Sequence, residues 1–156
     1  MISRHRILVA EDDTTDVFLL KRTFAKAGIS SSLHFVRDGQ EAVDYLSGVA
    51  GFADREQHPL PKLVLSDLKM PRLDGFQVLD WLRRQPGLKR LPMVILSSSS
   101  EPRDVNRAYD LGVNSYLVKP HSPERLSALV QQLHIYWLES NCFPDSGSAE
   151  GVQPTG

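Results

Sequence analysis

The chain has 156 residues, 41% of them hydrophobic and 24% charged, a balance expected of one folded domain with a full core and no second. A formal net charge of -1 with both signs interspersed excludes the basic field of a nucleic-acid binder, and no apolar run of about eighteen residues marks a membrane span or signal leader. The single cysteine, Cys142, cannot form an internal disulfide, so a cytoplasmic location is expected, with neither nucleic acid nor membrane as partner.

Short apolar runs alternate with helical patterns along the chain, the signature of βα units around a parallel sheet. Arg6 to Ala10 reads as a strand ending in Glu11-Asp12-Asp13, followed by a helix with Val17, Leu20, Phe24 and Ala27 on one face and a stop at Gly28. Leu33 to Val36 is the second strand. Asp38-Gly39-Gln40-Glu41 then has capping-box spacing and opens a short helix to about Ser47. Gly48 to Pro61 is irregular, a long connection into a third strand, Leu63 to Ser66, which ends at Asp67.

A second capping box, Asp74 to Gln77, opens a helix with Val78, Leu79 and Leu82 toward the core. Met93 to Leu96 forms the fourth strand and runs into Ser97. Glu101 to Leu111 is a short helix stopped by Gly112, and Ser115 to Val118 is a fifth strand that ends at Lys119-Pro120. Ser122 caps the last helix with Pro123 at its first position, and Leu126, Leu129, Val130, Leu133 and Trp137 share one face. The expected domain is 1–142, and 143–156, rich in Pro, Gly and Ser, reads as a disordered tail.

Four buried strands thus end in an acidic cluster, a second acid, a hydroxyl and a lysine, at the sheet edge where open α/β folds place their chemistry. Phosphoryl transfer needs positioning and charge neutralisation, and each residue answers one need. Asp67 is the candidate nucleophile. Glu11 and Asp12 are candidate oxygen ligands for Mg²⁺, which also relieves the repulsion among crowded acids. Lys119 offers a positive charge to a phosphate oxygen, and Ser97 a hydroxyl donor. Singly, each has a plainer explanation as a helix cap, a solvated charge or a polar turn. Together and in this order they do not. His5, His34, His58, His121 and His134 lack metal-ligand spacing and are assigned no chemistry.

The chain resembles the receiver domain of bacterial two-component response regulators over roughly residues 6 to 138. Glu11-Asp12, Asp67 with Met70-Pro71 and Asp74-Gly75, Ser97, and Lys119-Pro120 carry the match. The resemblance implies a doubly wound, flavodoxin-like, five-stranded parallel sheet of order 2-1-3-4-5. It implies phosphoryl acceptance by Asp67 from a sensor histidine kinase, with Mg²⁺ held by Glu11, Asp12, Asp67 and the backbone carbonyl of Lys69. It further implies Ser97 and Tyr116 as the switch pair, Pro120 as a cis proline, and a non-enzymatic role signalling to a downstream protein or phosphotransfer protein. With Lys69 and Ser99 at the two positions that tune phosphate loss, a long-lived acyl phosphate is expected. Asp13 is an extra acid without an assigned role.

Asp16-Val17, Asp38 to Ala42, Tyr45-Leu46, the long Gly48 to Pro61 loop and Tyr136 to Asn141 look like the receivers that partner phytochrome-type histidine kinases. Tyr136, Trp137 and Leu138 present more apolar surface than one helix face buries, so either they form a homodimer surface or Trp137 packs under the chain terminus. Two other classes of function are weighed. A phosphohydrolase resembling the haloacid dehalogenase group needs a second Asp where this chain has Lys69. A phosphate-independent interaction module has no need for the full set of Asp12, Asp67, Ser97 and Lys119.

Overall fold

A computed structural model of the chain describes residues 6–29 and 33–145. Its strands, β1 (Ile7–Ala10), β2 (Leu33–Val36), β3 (Leu63–Ser66), β4 (Met93–Ser97) and β5 (Ser115–Val118), form one parallel sheet in the order β2-β1-β3-β4-β5. The intervening helices are α1 (Thr14–Lys26), α2 (Gly39–Ser47), α3 (Gly75–Arg84), α4 (Pro102–Asp110) and α5 (Pro123–Leu133), the last continuing into a π-helical segment, His134–Ser140. This is the expected flavodoxin-like receiver topology.

Strand periodicity of two divides the core between the faces of the sheet. Leu8, Ala10, Val64, Met93 and Ile95 pack with the apolar faces of α2 and α3 and with Ala108 of α4. Their neighbours Ile7, Val9, Leu63, Leu65, Val94 and Leu96 pack with Leu20 and Phe24 of α1 and Val130 and Leu133 of α5. Covered on both sides, β1, β3 and β4 are buried at every residue, whereas the edge strands β2 and β5 are partly exposed. That is why the three central strands read as continuous apolar runs.

Local chemistry sets the helix starts. Asp74 and Gln77 form the complete reciprocal capping box at α3, and the Ser122 hydroxyl accepts from Arg125 N at α5. At α2 only half of the expected box forms: Asp38 accepts from Glu41 N at 2.8 Å, but the Glu41 carboxylate turns to Arg37 N. Asp38 instead takes a second load, a two-pronged contact with the Arg72 guanidinium at 3.0 and 3.1 Å, which ties the start of α2 to the β3–α3 connection. The long connection before β3 is held by Arg55, which donates to the carbonyls of Tyr45, Leu46 and His58 and so satisfies the open C-terminal end of α2.

The end of the chain departs from expectation. After Leu133 the backbone widens to π spacing, with Asn141 N donating to the carbonyl of Tyr136, five residues back. Trp137 is only 8% exposed and joins the α1–α5 layer, with Leu138 partly buried beside it. Of the residues read as a dimer surface, Tyr136 alone is open, 58% exposed beside Ile135 at 53%. Phe143, one residue past the expected boundary at 142, also packs against this layer; residues 146–156, the rest of the expected tail, lie outside those described. Among the described residues no helix is long and apolar enough to cross a membrane.

Candidate functional site

The strand ladder continues one residue past the ends of β1, β3 and β5. Glu11 N donates to Val36 O, Asp67 N to Ala10 O and Lys119 N to Ser97 O, at 2.8 to 3.0 Å. These bonds align Glu11, Asp67, Ser97 and Lys119 along the C-terminal edge of the sheet. The β3–α3 connection is pinned by Gly75, whose N–H donates to Leu68 O at 2.8 Å and whose missing side chain lets α3 approach the Asp67 carbonyl. Asp67 Oδ1 accepts from Leu68 N at 2.7 Å, so the carboxylate is oriented by its own loop.

At the centre is the Lys119 ammonium. Its Nζ lies 2.7 Å from Glu11 Oε2, 2.7 Å from Asp16 Oδ2 and 2.8 Å from Asp67 Oδ2. Lys119 is 13% exposed and Glu11 2%, so this exchange of charge takes place largely out of water. Burial pushes the Glu11 carboxyl up to about 7 although the hydrogen bond from Lys119 pulls it down. For Lys119 burial acts in the lowering direction, but the bonds to Asp16, Asp67 and Glu11 outweigh it and hold the ammonium above the usual lysine range. Glu11, Asp12 and Asp67 bring one carboxylate oxygen each to within 4.8 Å of one another. An all-oxygen donor set around a buried, hard-to-ionise carboxylate suits a small divalent cation.

The other members occupy the neighbouring loop. Ser97 Oγ accepts from Ser99 N at 3.1 Å, and Tyr116 Oη donates to Ser99 O at 2.7 Å, so the two expected switch residues meet through one backbone unit. Lys69 is exposed and shares a cleft with Asp12, Met70, Asp104 and Arg107. The Lys119–Pro120 bond is trans, which corrects the cis expectation. Trans is the favoured X–Pro isomer by about 0.5–1 kcal/mol, and Lys119 needs no sharp turn to be placed when its amide and its ammonium are both bonded.

Three residues gain roles that sequence reasoning missed. Asp13 caps α1, accepting from Thr15 N and Asp16 N, which accounts for the extra acid. Asp16, quoted only as a mark of resemblance, reaches Lys119. Asp104 accepts from Ser99 Oγ at 2.6 Å, a carboxylate beside position 99 that the residue types at 69 and 99 did not reveal. The spacing of Asp16 one helical turn beyond the acidic cluster was the available signal for the second of these.

The description "Response regulator receiver domain" matches residues 7–131. The chain belongs to the response regulator receiver family. Its relatives include response regulator Rcp1 of Synechocystis, 36% identical over 138 residues that cover 88% of this chain and 92% of Rcp1. The crystal structure of RPA3017, a response regulator in red light signaling of R. palustris, superposes with a TM-score of 0.85 at 39% identity, covering 90% of this receiver and 99% of that chain. The phosphorylated cyanobacterial phytochrome response regulator RcpA gives a TM-score of 0.81 at 33% identity over 90% and 99%. A Mn²⁺-bound form of Rcp1 has also been solved, with a TM-score of 0.80. This receiver is therefore a two-component signalling domain with phytochrome-associated relatives, and its acidic cluster fits the divalent metal that one of them holds.

Proposed function

We propose that this receiver is a phosphorylation switch in which Asp67 accepts a phosphoryl group from the phosphohistidine of a partner histidine kinase. The observation that carries this reading is the three-way contact of Lys119 with Asp67, Glu11 and Asp16 beside the carboxylate cluster, a site with a nucleophile, a cation and oxygen ligands on one edge. An Asp67 carboxylate oxygen forms the new O–P bond as the donor's P–N bond breaks, and the imidazole leaves with the electron pair and takes up a proton. Glu11, Asp12, Asp67 and the Lys69 carbonyl would hold Mg²⁺, which would supply charge neutralisation at the phosphoryl oxygens. Lys119 stabilises a further oxygen, and Ser97 donates its hydroxyl to another. Moving Ser97 then acts on Ser99 N, and through the same residue's carbonyl on Tyr116, which passes the change to β5 and α4.

The kinase partner is read as phytochrome-type, supported by the red-light and phytochrome regulators among the relatives. Output goes by protein contact to a target or a phosphotransfer protein, and Ile135 with Tyr136 offers the surface for a homodimer. Asp67 acts as a stoichiometric acceptor rather than a turnover nucleophile, since Lys69 stands where a phosphohydrolase of the haloacid dehalogenase kind needs its acid.

The test is intact-protein mass after acetyl phosphate treatment, with and without Mg²⁺, for the parent chain and Asp67→Asn. One magnesium-dependent phosphoryl adduct, absent from the variant, is expected. An adduct that persists in Asp67→Asn places the acceptor elsewhere, and none on the folded parent chain argues for an interaction module.

Metal binding should depend on pH through Glu11. Its folded pKa of about 7 exceeds the ordinary 4.5, so in metal-free protein its contribution to stability is fully present below about 4.5 and is lost as pH rises through about 7. A cation needs the ionised form and so binds better on the alkaline side. The rise in thermal midpoint on adding millimolar Mg²⁺ is expected to be larger at pH 8 than at pH 5.5. Equal shifts at the two values would exclude Glu11 as the titrating ligand.

A further inference from the structure

Lys119 has three N–H donors, and three carboxylates use them all. The three acceptors differ in what the proposed reaction does to them. Asp67 Oδ2 belongs to the group that becomes an acyl phosphate, and an acylated carboxyl is a weaker acceptor than a carboxylate. Glu11 belongs to the set of oxygens that come close enough to share a metal. Asp16 belongs to neither. It sits in the first turn of α1, its own N–H held at 3.0 Å by the Asp13 cap, and its side chain is 34% exposed and directed at Lys119 across the gap between α1 and the end of β5. When phosphorus arrives and the other two carboxylates weaken their hold, Asp16 is the partner the ammonium keeps, leaving two donors free for phosphoryl oxygens.

We propose that Asp16 is a positioning residue for phosphoryl transfer: from α1 it tethers the Lys119 ammonium at the acceptor while Asp67 and Glu11 release it. This rests on the phosphoryl-acceptor reading above. A lysine side chain has four rotatable bonds, and holding it in place before the transition state removes an ordering cost from the reaction step. The tether also carries a negative charge, so its removal does not weaken the approach of an anionic donor. The effect therefore falls on the maximal rate and not on the donor concentration needed for half of it.

The experiment measures phosphoryl uptake from acetyl phosphate, which releases acetate, at saturating Mg²⁺ and over a range of donor concentrations. Uptake by the parent chain comes first, because its failure sinks the acceptor reading and not the role of Asp16 alone. With that in hand, Asp16→Asn is expected to lower the maximal rate roughly 3- to 10-fold with half-saturation unchanged or lower, and Asp16→Glu to recover part of the loss. In a Lys119→Met background, Asp16→Asn should add nothing, as coupling through one ammonium requires. A second readout uses metal-free protein labelled with ¹⁵N: the Lys119 ammonium signal, expected to exchange slowly in the parent because all three donors are bonded, should broaden or vanish in Asp16→Asn at a temperature where both are folded. A rate equal to the parent's, the same loss with and without Lys119, or an ammonium signal indifferent to Asp16 would each overturn the proposal.

Discussion

Lys119→Met is expected to destabilise the metal-free protein by about 2–4 kcal/mol at pH 8, measured by urea unfolding. The range follows from the cost of leaving a buried charge without its partner, about 3–5 kcal/mol, reduced because the stranded carboxylate can take up a proton. Glu11 is the group stranded most severely, since it is almost fully buried and its carboxylate has, among the described residues, only Asp13 N besides Lys119 as a bonded partner. Asp67 and Asp16 keep more access to water and add less. The signature lies in how the deficit varies. In the parent, Lys119 is held above the usual lysine range, so its contribution is fully present below about 10.5 and persists across neutral pH. In the variant, protonation of Glu11 relieves the repulsion among the acids, so the deficit should shrink at pH 5.5, and Mg²⁺ should restore part of it at pH 8 by supplying the missing positive charge. A variant as stable as the parent at pH 8 without magnesium would show that desolvation cancels the ion pairs.

Gly75→Ala should be comparably damaging for a different reason. A Cβ at this position falls 2.3 Å from the Asp67 carbonyl oxygen and 2.9 Å from the Leu68 Cα, both backbone atoms that cannot rotate away. The first turn of α3 must retreat, yet Gly75 N is bonded to Leu68 O, so the loop that carries Asp67 moves with it. A loss of about 3 kcal/mol is expected, at the upper end for overpacking because no flexible side chain absorbs the strain. Phosphoryl uptake should fall even at temperatures where the variant remains folded. Gly28→Ala serves as the control: its φ of +78° is costly for a side chain, but open space surrounds the site, so about 1–2 kcal/mol and unchanged uptake are expected. Equal thermal midpoints for Gly75→Ala and the parent would mean that α3 is free to shift.

Much of this was legible because the signals are local. Apolar runs such as Leu63-Val64-Leu65 and Met93 to Leu96 mark strands covered on both faces, and a carboxylate or lysine directly after such a run has no place to go but the sheet edge. Helix boundaries to within a residue or two and the gathering of Asp12, Asp67, Ser97 and Lys119 at strand ends follow from patterns within a few positions of each residue, whereas the strand order came with the family resemblance. Asp74 with Gln77 was readable as a capping box for the same reason. Asp38 with Glu41 was readable only by half: Asp38 does accept from Glu41 N, but the Glu41 carboxylate turns to Arg37 N, and the contact of Asp38 with Arg72, 34 residues away, leaves no mark in the local spacing.

What the sequence by itself determined is the set of chemical groups and the edge on which they gather: an acid cluster, an acceptor, a hydroxyl and a lysine at the ends of strands whose alternation assigns each core residue to one face. Tertiary structure alone decided which of these groups touch. The Lys119 ammonium selects Glu11, Asp16 and Asp67 because its three donors meet the carboxylates that α1, β1 and β3 deliver to one point, and Asp13 next door is spent on a helix cap instead. Likewise the π spacing of the backbone beyond α5 has no local signal, although the helical spacing already placed Trp137 on the apolar face that it occupies in the core. Hydrogen-bond valence and burial are properties of the assembled neighbourhood, so partners distant in the chain become visible only when the neighbourhood exists.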